Sequence, residues 1–387
     1  MGGMRQILAV SAWNFRCVSS RVKPSLVAVV GFFGVVLVFT AILSIRNGLT
    51  AVAENTGSAD VAIVSATNGG LDGDALRAIA QAPGIAQGVH GPLIMSVFLT
   101  TAQLPTRASG LLGSLTFRGV SADMPQVWRK FRILQGRMFK TGVDEIIVGQ
   151  QAERLFPGLA VGDTFDWNHH QWKVVGVFSD GGGIHDSEIL TDVNQLQAAF
   201  NATNSYANAY VRLTSAAAFP AFKQAVEHNP QLGVTAVQEN VNFAQSFQGL
   251  ETLLTSVGGL ITLLMAVGAI FGVINIMYAN VASRMQDIAT LRALGFSRFP
   301  VLCAVMLEGV LLGLIGGIVA AIVAYLVFNG YQASTTGNNA LMGFSFSVTP
   351  GLILSALILA IVMGFIGGLF PAIRAARLPV ARALRET

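Results

Sequence analysis

Charged side chains are scarce in this chain of 387 residues: 11% are Asp, Glu, Lys or Arg, whereas 53% are hydrophobic. Soluble domains carry about a quarter charged residues, so an ordinary water-soluble globule is excluded. Cysteine is scarcer still. Cys17 and Cys303 both fall in or beside apolar runs, which excludes a disulfide framework for the long polar middle of the chain. That region has to hold together by its core, and roughly 200 residues are enough to bury one. A phosphate-binding G-x-x-x-x-G-K-[ST] loop is missing, because the triplet Gly181, Gly182, Gly183 is not followed by Lys-Ser or Lys-Thr. Metal-ligand spacing is missing as well. His169 and His170 are adjacent, and neighbours in a strand point to opposite faces, while His185 with Asp186 adds no diagnostic interval. No nucleophile, base and orienting group stand out together, which argues against hydrolytic chemistry.

What the chain has in quantity is long apolar runs. Four are long enough to cross about 30 Å of hydrocarbon as helices, at 25–45, 251–281, 300–328 and 348–371. A mean hydropathy of +0.60 agrees with a membrane protein. Basic residues set its expected orientation. Arg5, Arg16, Arg21 and Lys23 precede the first run, Arg284, Arg292 and Arg298 lie between the second and third, and Arg374, Arg377, Arg382 and Arg385 follow the fourth. The connection 329–347 has no Lys or Arg. All three basic clusters therefore belong on the cytoplasmic side. The resulting expectation is a multi-pass protein of a bacterial inner membrane with both termini cytoplasmic. The net charge of +4 reflects this inside bias and is no sign of nucleic-acid binding. Segment 1–24, whose apolar and polar residues recur with helical spacing and whose Trp13 and Phe15 suit the headgroup region, reads as an amphipathic helix on the cytoplasmic leaflet.

The fold class expected is an α-helical membrane protein with four transmembrane helices plus a mixed α+β extracytoplasmic domain, 46–250, of two subdomains. Alternation and turn residues place strands at Val61–Ser65, Leu93–Thr101, Ala209–Leu213 and Val234–Val237, with helices at Asp74–Ala82 and Ala216–His228. These form two βαβ-like units, about 50–102 and 205–250, nearer the membrane. An inserted subdomain, about 103–204, holds strands at Thr116–Val120, Glu145–Val148 and Gln171–Phe178 and helices at Gln150–Phe156 and Val193–Phe200. From Asn240 to Leu250 no turn signal intervenes, so a helix should run straight into the second apolar run.

Between the second and third runs, segment 282–299 reads as a short, charge-punctuated helix. Met285, Ile288, Leu291 and Leu294 recur every three residues as one apolar stripe, with Arg284 and Asp287 near enough to pair beside it and Gly295 closing the helix. In the third and fourth runs, Gly309, Gly313 and Gly317, and Gly364 and Gly368, fall at four-residue spacing and mark faces where helix backbones approach closely. Glu308 is acidic within an apolar run and reads as a tie to a neighbouring helix; Asn275 and Asn280 read as interhelical hydrogen-bond partners. Segment 372–387 is a basic tail.

One span, a large external domain, three more spans, the segment RMQDIATLRALGFSR at 284–298 and the ending PAIRAARLPVARALR at 371–385 resemble the membrane subunits of ABC transporters related to the macrolide exporter MacB, the lipoprotein-release permeases and the division protein FtsX. The stretches 134–140, 145–157 and 173–179 are similar to that family's periplasmic core domain. The resemblance implies a non-catalytic permease whose coupling helix docks on an ATPase through Arg284, Asp287, Ile288, Leu291, Arg292, Leu294 and Gly295. Asp287 stands where Glu is more usual and Phe296 where a small residue is. It implies no cofactor on this chain, with ATP and Mg held by a separate dimer of nucleotide-binding subunits. It also implies a second permease copy or paralogue in the bilayer, and a periplasmic adaptor and outer-membrane channel for export of a hydrophobic or amphipathic substrate. Activation of a cell-wall hydrolase, as for FtsX, and lipoprotein release are the alternatives.

Overall fold

The computed structural model describes residues 22–89, 91–107, 109–294, 297–337 and 340–377. The expected helix within 1–24, Cys17, Gly295, Phe296 and the tail from 378 lie outside them, as do the side chains of Asp287 and Leu291. The chain divides into two compact units. One comprises residues up to 47, 252–331 and 346 onward; the other comprises 48–251 and 332–345.

The first unit is helical. Four helices in the chain are long and apolar enough to cross a membrane: Ser25–Asn55 within a helix beginning at Val22, then Glu239–Ser283, Arg298–Phe328 and Pro350–Arg377. The first continues ten residues past the apolar run that ends at Ile45. The reason is periodicity: Leu49 and Val52, three apart, are both buried and keep one helical face apolar beyond Arg46 and Asn47. Within the unit, Ala28, Phe32, Val273, Met277, Val305 and Met363 belong to one buried cluster.

The sequence leaves open whether the glycine faces pack within one chain or between two. The structure sets all five between the third and fourth helices of the same chain. A Cβ on Gly309 would lie 2.7 Å from the carbonyl oxygen of Gly364, and one on Gly313 would lie 2.5 Å from that of Ala360. Gly317 faces the Ala360 methyl, and Gly368 faces Met306 and Gly309. In hydrocarbon no hydrophobic force draws helices together, so close backbone packing of this kind supplies the attraction.

The second unit is built on a ten-stranded mixed sheet. In chain order its strands, with those of two small hairpins, are β1 (Val61–Ala66), β2 (Gln87–Gly88), β3 (Gly91–Pro92), β4 (Ile94–Pro105), β5 (Leu112–Val120), β6 (Arg132–Gly136), β7 (Glu145–Gly149), β8 (Thr164–Trp167), β9 (His170–Ser179), β10 (Glu188–Asp192), β11 (Asn208–Arg212), β12 (Val234–Gln238), β13 (Gln332–Gly337) and β14 (Ala340–Ser345). The order across the sheet is β12-β1-β11-β4-β5-β10-β7-β9-β6, with β8 pairing β9. β10 runs parallel to β5 and β7 parallel to β9, and the remaining pairs are antiparallel.

The two βαβ-like units interleave. β11 lies between β1 and β4, and β12 closes the outer side of β1, which is the split βαβ arrangement. Helices Gly73–Ile79 and Phe219–Glu227 belong to these units; the first is capped by Asp72, whose carboxylate accepts from the amide of Ala75. Where two subdomains were expected, one sheet runs through both. β4 pairs β11 over its first residues and β5 along its length, so it serves both halves. Each half has its own buried apolar cluster. One gathers Val64, Ile79, Val211 and Phe222; the other gathers Phe117, Ile146, Phe156 and Trp172.

Segment 329–347 holds more than a short loop. Its strands β13 and β14 pair with each other as a hairpin and belong to the sheet-containing unit. Gly343 donates its amide to Ser187 Oγ at 2.9 Å, and Leu341 packs where a side chain on Gly113 would have to sit.

Candidate functional site

The segment expected to meet a partner is a helix from Met285 to Ala293, separated from the second long helix by Arg284 alone. Its stripe is divided. Ile288 is buried in the core of the helical unit, Met285 is half-buried, and Leu294 is 74% exposed and open to a partner. Arg284 requires a correction. It is buried and places Nη1 3.3 Å from Glu308 Oε2, so it lies inside the helical unit, away from any exposed docking surface. Glu308 is accordingly tied to the residue that opens the short helix. Two charges this far from water are retained only when they neutralise each other. Arg292 donates to the carbonyl of Ala376, which joins the short helix to the end of the fourth long helix.

Asn275 faces outward. Val273 and Met277 are buried, and a residue two positions from either is turned by about 200° around the axis, so Asn275 is exposed and makes no hydrogen bond to another helix of this chain among the described residues. Asn280 is buried.

The second unit contains a feature that sequence reasoning missed, a buried cluster of charged and aromatic side chains. Arg118 lies on β5, whose alternate residues Leu115 and Phe117 enter the apolar core on the opposite face. Glu188 opens the parallel neighbour β10 two registers away, on the same face as Arg118. The two form a two-pronged ion pair, Nε to Oε2 and Nη2 to Oε1, both 2.7 Å. Tyr210 on β11 accepts from Arg118 Nη1 at 3.3 Å. His185, fully buried, sets Nδ1 3.0 Å from Glu188 Oε2 and stacks on the Trp128 ring at a centroid distance of 4.0 Å.

The cluster also holds the ends of two long helices. Glu239 is the first residue of the 45-residue helix Glu239–Ser283 and is 1% exposed. Its carboxylate accepts from Trp128 Nε1 at 3.1 Å and from the amide of Ser58 at 2.9 Å, and Oε1 stands 3.9 Å from His185 Nε2. At the end of the first helix, Thr56 Oγ1 accepts the Ile184 amide at 2.7 Å, and Lys130 Nζ donates to the Asn55 carbonyl at 2.8 Å. Lys130 thereby places a cation at the negative end of that helix. Segment 183–188 thus touches the end of the first long helix and supports the start of the second. It begins in the glycine triplet, where Gly181 and Gly182 have φ of +75° and +85°, a left-handed backbone that glycine adopts without strain. Asp186 holds that turn by accepting from the amides of Asp180 and Gly182 and from Ser179 Oγ.

Burial favours the neutral form of His185, but the Glu188 carboxylate outweighs it and raises the imidazole to about 9. Burial would raise Glu188, yet Arg118 and His185 bring it down to about 2. Asp180 lines an adjoining cavity of about 200 Å³ and is raised to about 6, chiefly by burial, with Glu239 and Asp186 adding repulsion and His185 and Lys130 opposing it.

These shifts set a pH dependence. The raised His185 contributes stability that is complete below its unfolded value near 6.5 and is lost as pH rises through about 9. The raised Asp180 acts in the same direction: its carboxylate destabilises the fold above about pH 6, and that cost is relieved as pH falls towards 4. Thermal stability of the second unit should therefore decline from pH 5 to pH 10. In Asp180→Asn the change around pH 6 should vanish while the alkaline decline persists. An Asp180→Asn profile identical to the parent would contradict the assignment.

Among the described residues no three His, Cys, Asp or Glu side chains are arranged to hold a metal. His169 sits in the turn before β9 with φ of +65°, while His170 begins that strand and contacts Asp144 at 3.1 Å. The two histidines are separated by that turn, not by opposite faces of one strand. The cluster has no open nucleophile, and its chemistry is that of a buried fastening. Its signal in the sequence was faint: an Arg inside the apolar strand β5, and a Glu exactly where the helical periodicity begins.

Comparison with known proteins gives the lineage. The MacB-like periplasmic core domain matches residues 25–229, more than half of the chain, and the FtsX-like permease C-terminal domain matches 259–380. The ABC transporter permease YknZ of Bacillus subtilis (strain 168) is 26% identical over 250 residues, 62% of this chain and 61% of that one. The lipoprotein-releasing system transmembrane protein LolC of Xylella fastidiosa (strain 9a5c) is 32% identical over 173 residues, 41% of this chain and 40% of that one. The macrolide export ATP-binding/permease protein MacB of Nitrobacter winogradskyi is 37% identical over 113 residues, 29% of this chain and 16% of that one. In these alignments the chain spans between about a sixth and three-fifths of its relatives' lengths. A core-domain match over residues 25–229 followed by a permease match over 259–380 establishes that the chain belongs to the family of ABC transporter permeases of the MacB, FtsX and LolC type.

Proposed function

We propose that this chain is the mechanical subunit of an ABC transporter: it converts ATP binding and hydrolysis by a separate nucleotide-binding dimer into movement of its sheet-containing unit. The observation that carries this reading is the uninterrupted helix Glu239–Ser283, whose first residue is buried and hydrogen-bonded in the charge cluster and whose last residues lead into Met285–Ala293. A helix transmits displacement along its axis, which a flexible linker would dissipate. In this reading the four long helices span a bacterial inner membrane, both termini are cytoplasmic, and the sheet-containing unit is periplasmic.

The exposed Leu294 offers the short helix an apolar contact for the ATPase. Asn275, on a helix face with Phe271 and Leu264 exposed, offers a polar contact to a second permease copy, because an amide facing hydrocarbon gains by finding a partner helix. The output is export of a hydrophobic or amphipathic molecule, together with a periplasmic adaptor and an outer-membrane channel. Proteins that co-purify with the complex separate this from hydrolase activation or lipoprotein release.

Leu294→Asp should abolish co-purification with the ATPase while the chain still inserts in the membrane, since a carboxylate buried without a partner costs several kcal/mol, about enough to lose a micromolar complex. An undisturbed complex would overturn the docking assignment.

A further inference from the structure

The tip of the β4-β5 hairpin carries adjacent leucines, Leu111 and Leu112, that are 71% and 70% exposed. They border a groove of about 550 Å³ whose other walls are the helix Gln150–Leu155 and the β13-β14 hairpin. Leu155 and Leu341 add apolar lining, and no Asp or Glu is among the described residues that line it. Two arginines do. Arg107 is held in place by donating to the carbonyls of Glu153, Arg154 and Phe156 at the end of that helix. Arg154 is exposed and makes no side-chain hydrogen bond or ion pair among the described residues. Ligand pockets run from about 300 to 1,000 Å³ and combine apolar walls with a few polar groups that fix orientation. Here the charged groups of the lining are both cationic, set among the neutral Thr106, Ser109, Ser114, Gln332 and Ser334.

We infer that this groove binds a single-chain amphipathic anion, with its carboxylate against Arg154 and Arg107 and its hydrocarbon along Leu111, Leu112, Leu155 and Leu341. An acidic head forms charge-assisted bonds with guanidinium groups, and the chain covers leucines that otherwise face water. Only the further step, that the bound molecule is cargo, rests on the transport reading. One wall of the groove is the hairpin between the third and fourth long helices, so an occupant would bridge that hairpin and the β4-β5 tip.

The test uses the full chain in phosphatidylcholine nanodiscs, without ATP or ATPase, and a photoactivatable palmitate with its alkylammonium counterpart. Palmitate should label peptides from 106–114 and around 154, and excess palmitate should compete. Arg154→Glu should reduce labelling about tenfold, the worth of one charge-assisted bond, and Leu112→Ser should also reduce it. Equal labelling by the ammonium probe, unchanged labelling of Arg154→Glu, or labelling confined to the four long helices would each overturn the site. Leu294→Asp should label as the parent does, so failure of the ATPase contact is read separately from failure of the groove.

Discussion

Arg118→Met should lower the thermal midpoint of the sheet-containing unit by about 10 °C or more, the equivalent of about 3–5 kcal/mol for breaking a buried ion pair on one side. The substitution preserves much of the apolar volume and removes only the guanidinium. Glu188 is 4% exposed and would keep His185 as its single close cation, while Tyr210 would lose its donor. Trp128 stacks on His185 and lies 5.8 Å from the Arg118 guanidinium carbon. Its fluorescence should therefore report the loss directly. Glu188→Gln should cost at least as much, because burial can return His185 to its neutral form but Arg118 keeps its charge and is left buried without a carboxylate. An unchanged midpoint for Arg118→Met would mean that the ion pair is an ornament of the fold.

The elements of this unit were legible where periodicity is strong. Glu145–Val148 is expected and Glu145–Gly149 observed; Gln171–Phe178 is expected and His170–Ser179 observed; the helix from Val193 differs by one residue at its end. These segments alternate or repeat cleanly because one face meets a core. Legibility failed where the cause is tertiary. Ala333, Thr335, Met342 and Phe344 carry only faint alternation, so the hairpin between the third and fourth helices read as a loop; its strands depend on each other and on Ser187 and Gly113, which are distant in sequence. The charge cluster failed for the same reason. Arg118, the neighbouring pair His185 and Glu188, and Glu239 come from three separate parts of the chain, and no local spacing announces that parallel pairing of β5 and β10 brings them together. The segment 284–298 was legible as a short helix, but Arg284 turned inward because Glu308, 24 residues later, offers its buried carboxylate.

Gly249→Pro should disconnect the proposed relay while leaving the two units folded. Gly249 is exposed within the helix Glu239–Ser283, and a Cβ there meets nothing within 4 Å. Proline at that point removes a backbone donor and clashes with the carbonyl one turn earlier, at a local cost of about 3 kcal/mol and a kink. Gly249→Ala is the matched control, since alanine fits the space and strengthens a helix interior by about 1 kcal/mol. The readout is the distance between spin labels at Asp74→Cys in paired copies, with Cys17 and Cys303 replaced by serine; Asp74 is an exposed residue of the sheet-containing unit. In the complex with its ATPase, the parent and Gly249→Ala should change this distance when ATP is trapped, whereas Gly249→Pro should hydrolyse ATP with the distance unchanged. The same response in all three would show that motion reaches the sheet-containing unit by a route other than this helix. A lost response confined to proline would locate the coupling in the stretch between Glu239, fastened in the charge cluster, and Thr252, where the helical unit begins.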